Sequence, residues 1–121
     1  MANPSTTGPS GIGSEVLRRT HAIATNNTTA TLITVGTDMI VTLLSLVVTN
    51  TTSSGSKNLD IKVSPDGSGD VYLYQGVGTW GAYETFVYND KIVLTETDVL
   101  KVTSNSTDFD CYVSYIEQEF A

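Results

Sequence analysis

The longest apolar run of the chain, MIVTLLSLVV from Met39 to Val48, restricts the folds that the sequence can adopt. It contains Thr42 and Ser45 and falls well short of the roughly 20 apolar residues that a membrane-spanning helix needs. Its β-branched residues favour a strand over the alternative, a buried helix. Both alternating faces are mostly apolar, which is typical of a strand covered on two sides. We expect the core to cover one face and a neighbouring subunit or arm to cover the other.

Strict strand alternation divides the apolar side chains of this run between two opposite faces. The side chains assigned to one face are Ile40, Leu44, Leu46 and Val48. Those assigned to the opposite face are Val41, Leu43 and Val47. We predict that the second set contacts another copy of the chain.

Shorter alternating segments, bounded by turn residues, follow along the rest of the chain. LDIKVS (59–64) reads as a half-buried strand, Asp66–Gly67 as a hairpin turn, and VYLYQG (71–76) as the returning strand. Further strand patterns end with FDCYVSY (109–115). The sequence therefore predicts an all-β fold: a single antiparallel β-sandwich of about eight strands, jelly-roll-like, with the strand order left open.

The N-terminal residues have a different composition from the rest of the chain. Residues 1–14 are rich in Pro, Ser, Thr and Gly, and such segments bury too little apolar surface to offset the entropy of ordering. We predict a flexible, extended N-terminal arm over residues 1–20 and a β-sandwich domain over residues 21–121. The arm residues expected to bind a larger assembly are Ile12, Val16, Leu17, Arg18 and Arg19.

The charge balance argues against one large class of partners. Thirteen acidic and six basic residues give a net charge of −7, whereas nucleic-acid binding needs a positive field that displaces counterions from phosphates. The N-terminus lacks the basic start and apolar stretch of a signal peptide. We expect a protein made in a cytoplasm, with neither nucleic acid nor a membrane as its partner.

Few residues offer catalytic or metal-binding chemistry. The chain has one histidine, His21, and one cysteine, Cys111, too few for a typical structural zinc site. The segment SPDGSGD lacks the ligand series of a calcium loop, and its Asp-Gly pair is better explained as a turn. We expect a protein that is not an enzyme and has no cofactor or metal. Cys111 is predicted to be a buried core thiol.

Aromatic residues concentrate in the second half of the chain. Those considered as a contact surface are Tyr72, Tyr74, Trp80 and Tyr83. One interpretation is that some of them pack on the core. The other is an exposed surface for a partner subunit or a sugar ring, and the subunit is favoured because aromatics are enriched at protein interfaces.

Four further segments are VVTNTT, YNDKIVL, DVLKVTSN and VSYIE. Their order resembles that of small β-sandwich virion proteins of tailed bacteriophages, and the resemblance covers roughly residues 28–117. One departure precedes the long strand, where this chain has Gly36–Thr37–Asp38 and the family usually has Pro-Ala-Gly. The resemblance implies a virion structural protein, often trimeric, without indicating whether it lies on the head, the neck or the tail.

Together with the predicted arm, the resemblance suggests a homotrimeric capsid decoration (cement) protein. Its arm would bind the major capsid protein or another virion protein and stabilise the head, and the particle would be assembled in the host cytoplasm. Trimerisation would let three arms bind neighbouring sites together. The alternatives are a neck, collar or tail-fibre module of the virion, or a carbohydrate-binding β-sandwich module that uses surface aromatics.

Overall fold

Nine β-strands make up almost all of the residues that the computed structural model describes, which are 13–24, 28–53, 58–77, 80–105 and 108–120. The strands are β1 (Glu15–Ala24), β2 (Thr28–Thr34), β3 (Met39–Asn50), β4 (Asn58–Ser64), β5 (Val71–Val77), β6 (Thr85–Tyr88), β7 (Ile92–Thr95), β8 (Val99–Ser104) and β9 (Phe109–Glu119). Within the described ranges the one helical element is a 3-10 turn at Pro65–Gly67. The predicted all-β class is confirmed.

The strands form two antiparallel sheets that pack face to face. Sheet A has the order β1-β9-β3-β6, and β7 pairs with the other half of β3. Sheet B has the order β2-β8-β4-β5. If β6 and β7 are taken as one interrupted strand, each sheet has four strands, and each strand lies in the opposite sheet from the one before it except at the β4–β5 hairpin, as in a jelly roll. The sandwich prediction is therefore confirmed, with β1 as a strand that the sequence did not predict.

The core lies between the sheets and is built from alternate residues of each strand. Phe109, Cys111, Val113 and Tyr115 of β9 point inward, and the residues between them are more exposed. In sheet B, Leu100 and Val102 of β8 are fully buried. This period-two burial is what a two-layer sandwich requires of each strand.

A β-bulge changes the faces of β3. The register with β9 shifts between Leu43 and Ser45, so Leu44 is an extra residue in the ladder. Residues beyond a bulge exchange faces relative to strict alternation. For this reason Val41, Leu43, Leu46 and Val48 all point into the core and are 0–1% exposed. The prediction that Val41 and Leu43 contact another copy is therefore wrong.

The N-terminal boundary of the sandwich also differs from the prediction. Strand β1 begins at Glu15 and pairs with β9 along its whole length. Val16 is 6% exposed, and the Arg18 guanidinium lies 3.3 Å from the Glu117 carboxylate. Because a distant acidic residue neutralises this arginine, its charge does not keep the segment off the sheet. The prediction of an arm that extends to residue 20 is therefore wrong. Ile12, another apolar residue assigned to the arm interaction, lies outside the described residues.

The predicted Asp-Gly hairpin is confirmed. Strands β4 and β5 pair antiparallel, and the connection between them places Asp66 at φ 54° and Gly67 at φ 73°. Aspartate and glycine tolerate this left-handed conformation better than most residues do. The backbone N–H of Asp66 also donates to Asp98 Oδ1 at 3.0 Å, which ties the turn to the start of β8.

Candidate functional site

The outer face of sheet B is polar, and its two lysines share one carboxylate. Thr31, Lys101 and Lys62 lie opposite one another across β2, β8 and β4. The Asp70 carboxylate joins the two lysines, with Nζ distances of 2.8 Å to Lys101 and 3.7 Å to Lys62. The Lys62 ammonium also lies 5.6 Å from the centre of the Tyr72 ring. This face has the composition of an ordinary solvated surface.

The outer face of sheet A is different, because two of its five cross-strand rows are largely apolar. One row is His21, Tyr112, Val47 and Val87, and another is Leu17, Ile116, Thr42 and Val93. Exposed fractions reach 46% at Tyr112, 51% at Val87 and 61% at Val93. We call this surface the sheet A outer face. Its residues are Glu15, Leu17, Arg19, His21, Ile23, Ile40, Thr42, Ser45, Val47, Thr49, Thr85, Val87, Val93, Thr95, Asp110, Tyr112, Ser114, Ile116 and Gln118.

A groove of about 340 Å³ lies in one half of this face. Its lining includes Ile23, Val47, Tyr112, His21 and Asp110. Since most of these side chains are apolar or aromatic, the groove suits an aliphatic side chain better than a charged one. It is a shallow surface feature between neighbouring strands, with the composition of a docking surface.

His21 and Cys111 both border this groove but do not form a catalytic pair. Cys111 has the inward parity of β9 and is 2% exposed, while His21 is exposed on the outer side of the sheet. Burial, and to a lesser extent the charge of Asp110, raises the pKa of the Cys111 thiol to about 12. The thiol is therefore protonated at neutral pH and is a poor nucleophile. The prediction that Cys111 is a buried core thiol is confirmed.

The aromatic residues divide between the core and the surface. Trp80 is 6% exposed, and its ring lies 4.8 Å from Phe109 and 6.3 Å from Tyr74, measured between centroids. Tyr72 and Tyr83 are 49% and 64% exposed, but Tyr72 lies on β5 of sheet B and Tyr83 in the loop before β6. The prediction that Trp80 contacts a partner or a sugar is wrong, because its ring is packed in the core.

Three of the predicted contact residues lie together on the sheet A outer face. These are Val47 from the predicted interface, and Leu17 and Arg19 from the predicted arm. The apolar residues that the sequence did not identify there are the exposed Ile23, Val87, Val93 and Tyr112 and the half-buried Ile116. The sequence did contain one signal for this surface. The outward-facing positions of β9, expected to be polar, include the large and mainly apolar side chains of Tyr112 and Ile116.

Neither a metal site nor a membrane span is found in the described part of the chain. No group of three or more His, Cys, Asp or Glu side chains converges there as metal ligands would. The same residues include no helix with the length and apolar character needed to cross a bilayer.

No family model matches the chain, and no curated protein matches it. Among solved structures, the chain is similar to two crystal structures, each described as a pentameric capsid protein isolated from metagenomic phage sequences. The identities are 16% and 18%, and the TM-scores are 0.44 and 0.43. Each match covers 85% of this chain and 61% of the other chain. These values are too low to carry an argument about function.

Proposed function

We propose that this chain is a non-enzymatic structural protein of a phage virion, and specifically a homotrimeric head decoration protein. The observation that carries the proposal is the set of apolar residues on the sheet A outer face. These residues are exposed to solvent in a monomer and would be covered in an assembly. The resemblance to small virion proteins supplies the kind of assembly. Its partners would be further copies of itself and the major capsid protein or another virion protein.

The positions of the four resembling segments support this proposal. VVTNTT (47–52) ends β3, YNDKIVL (88–94) runs from β6 into β7, DVLKVTSN (98–105) contains β8, and VSYIE (113–117) lies in β9. These strands come from both sheets. The resemblance therefore falls on strands that form the framework of the sandwich.

In this proposal the two parts of the chain have separate tasks. The sandwich projects from the head and contacts its sister copies, while the residues before β1 bind the shell. Three linked attachment segments raise the effective concentration at neighbouring sites, so a weak single contact becomes a durable one. The net charge of −7 keeps unassembled copies soluble.

Titration of the purified protein onto expanded phage heads that lack it tests the shell-binding step. The deletion variant removes residues 1–12, because the backbone N–H of Gly13 already donates to the Glu119 carbonyl at 2.8 Å. The control replaces residues 1–12 by Gly and Ser at equal length. The intact chain should bind to saturation, and both altered chains should bind far less while keeping the wild-type melting temperature. Absence of binding by the intact chain, or unchanged binding by the deletion variant, contradicts the proposal.

Copy number per particle tests the position on the virion. A decoration protein covers the whole shell and should be present in large numbers, whereas a neck, collar or tail-fibre module surrounds one axis in few copies. Quantitative gel densitometry of purified particles, calibrated on the major capsid protein, separates these cases. A low copy number would replace the head assignment with a neck or tail one.

A further inference from the structure

We infer that the sheet A outer face is the surface through which one copy of this chain contacts another. The inference rests on the proposed function only in assuming that the protein self-associates, and it names the face responsible. The occupant is a second copy of the chain rather than the shell. Three observations favour it: the contrast between the two sheets, the distribution of charge, and the dimensions of the face.

The contrast between the two sheets separates this face from an ordinary surface. An antiparallel sandwich exposed to water on both sides should carry polar residues on both outer faces. Sheet B does so with Thr31, Lys62 and Lys101. Sheet A instead presents Val87 and Val93, which are 51% and 61% exposed. These two residues belong to two apolar rows on either side of the polar row of Arg19, Ser114 and Ser45. Exposed apolar rows on one side of a sandwich only are typical of a contact surface.

The charge distribution indicates what covers the face. Two copies that each carry a net charge of −7 repel one another unless the surfaces that meet are locally neutral. The five outward-facing rows of sheet A hold two acidic residues, Asp110 and Glu15, in the two end rows, and one fully charged basic residue, Arg19, in the middle row. The charges of Arg19 and Asp110 cancel, and Glu15 leaves the face with −1 of the chain's net charge of −7, so another acidic copy meets little local repulsion here.

The two charges are also placed to meet a second copy. Arg19 lies opposite Ser114 and Asp110 lies opposite Ile23, so they are two rows apart, or about 14 Å along the strands. Among the described residues neither forms an ion pair within the chain, and the Arg19 guanidinium lies 5.9 Å from the centre of the Tyr112 ring. Arg19 of one copy can therefore approach Asp110 of another without breaking an existing ion pair.

The dimensions of the face suit a contact between proteins. Four strands about 4.8 Å apart, over the length from Asp110 to Gln118, give a flat footprint of about 500 Å². Specific interfaces bury roughly 600–1,000 Å² on each partner, and projecting side chains make the accessible area larger than the footprint. The groove of about 340 Å³ beside Ile23 and Val47 has room for an aliphatic side chain of the second copy. The face alone supplies most of the area that a stable contact requires.

Sedimentation velocity of the full chain, without phage heads, tests the inference. The variants are Val87→Lys, on the edge strand β6, and Tyr112→Lys, in the middle of the face. The matched control is Gln75→Lys, an exposed residue of β5 in sheet B with the same change of charge. Wild type and control should sediment as one oligomer, while both face variants should fall to the sedimentation coefficient of a monomer. Far-UV circular dichroism confirms that each variant is folded.

A second measurement needs no substitution. His21 is the only histidine of the chain and is exposed on this face, so diethylpyrocarbonate should modify it slowly at high protein concentration and faster on dilution. A monomeric wild type, face variants that keep the oligomer, or labelling of His21 independent of concentration each overturn the inference. So does a control variant that dissociates as fully as the face variants. Since heads are absent, failure here leaves the shell-binding result standing, and the reverse also holds.

Discussion

The ring of Tyr74 stacks on the ring of Phe86, with 4.5 Å between the centroids and 24° between the ring planes. Tyr74 belongs to β5 of sheet B and Phe86 to β6 of sheet A, so this contact joins the two sheets at one side of the sandwich. Trp80 packs edge-on against both rings and against Phe109 in the core. The aromatic residues between 72 and 88 therefore serve largely to close the sandwich.

Gly76 is expected to be essential for this closure. A Cβ at this position would lie 2.6 Å from the Tyr74 hydroxyl and 2.7 Å from a ring carbon, and the stack on Phe86 leaves the ring little room to move. Gly76→Ala should lower the free energy of unfolding by about 1–3 kcal/mol, as overpacking in a core does. Urea denaturation measures this. Gly36→Ala is the control, since its Cβ would meet only Met39 Cγ at 3.7 Å; an equal loss in both variants would contradict the role of Gly76.

The side chain of Asn50, the last residue of β3, should stabilise the folded protein although it is polar and buried. It is fully buried; its Nδ2 donates to the Gly81 carbonyl at 3.0 Å, and its Oδ1 accepts from the Thr52 N–H at 3.1 Å. Asn50→Ala leaves both partners without this side chain and should cost about 1–3 kcal/mol. Thermal and urea unfolding test it, with the exposed Asn89→Ala as the control. A loss no larger than that of the control would show that the side chain is not needed to hold the 80–84 loop.

Asp70 should make stability depend on pH in the acidic range. Its hydrogen bond from Lys101, and then the one from Ser64, hold the pKa of the Asp70 carboxyl below its ordinary value. A depressed folded-state pKa stabilises the protein above the unfolded-state value, about 4, and this contribution is lost as the pH falls through the folded-state pKa. Melting temperatures between neutral pH and about pH 3 should fall less steeply for Asp70→Asn than for wild type. Equal slopes, or a similar change in the exposed control Asp90→Asn, would contradict this.

Cys111 should be inert in the folded protein. Its thiol is buried and its pKa is raised to about 12, so almost no thiolate exists at pH 8. Ellman's reagent should react with it only as fast as the chain unfolds, and urea should accelerate the reaction in step with loss of structure. Rapid labelling of the native protein at pH 8 would contradict this assignment. Cys111→Ser should destabilise by about 1–3 kcal/mol, because a hydroxyl is costlier to bury, and Cys111→Ala serves as the comparison.

Much of the fold was predictable because burial in a two-layer sandwich follows alternation along each strand. The patterns at β4, β5 and β9, together with the Asp66–Gly67 turn, predicted elements that the structure contains. Each of these signals lies within a few residues of sequence. The sandwich class could therefore be predicted without knowledge of which strands pair.

The errors came from interactions between distant residues. The predicted arm extended to residue 20, yet Val16 is buried and Arg18 forms an ion pair with Glu117 of β9. The bulge at Leu44 reversed the faces of β3 beyond it, and this shows only in the register with β9. Trp80 follows a glycine-rich segment but packs on Phe109. For the same reason the sheet A outer face was only partly predicted, because its rows join residues from opposite ends of the chain.

The interruption between β6 and β7 has a consequence for crowded surroundings. Residues 89–91 leave the β3 ladder opposite its bulge, so this border of sheet A is two short strands instead of one long one. A long, regular edge strand would expose a row of unpaired backbone N–H and C=O groups, to which a strand of another molecule could add. Where copies of the chain are crowded together, the interrupted edge therefore lowers the tendency of neighbouring copies to pair strand to strand.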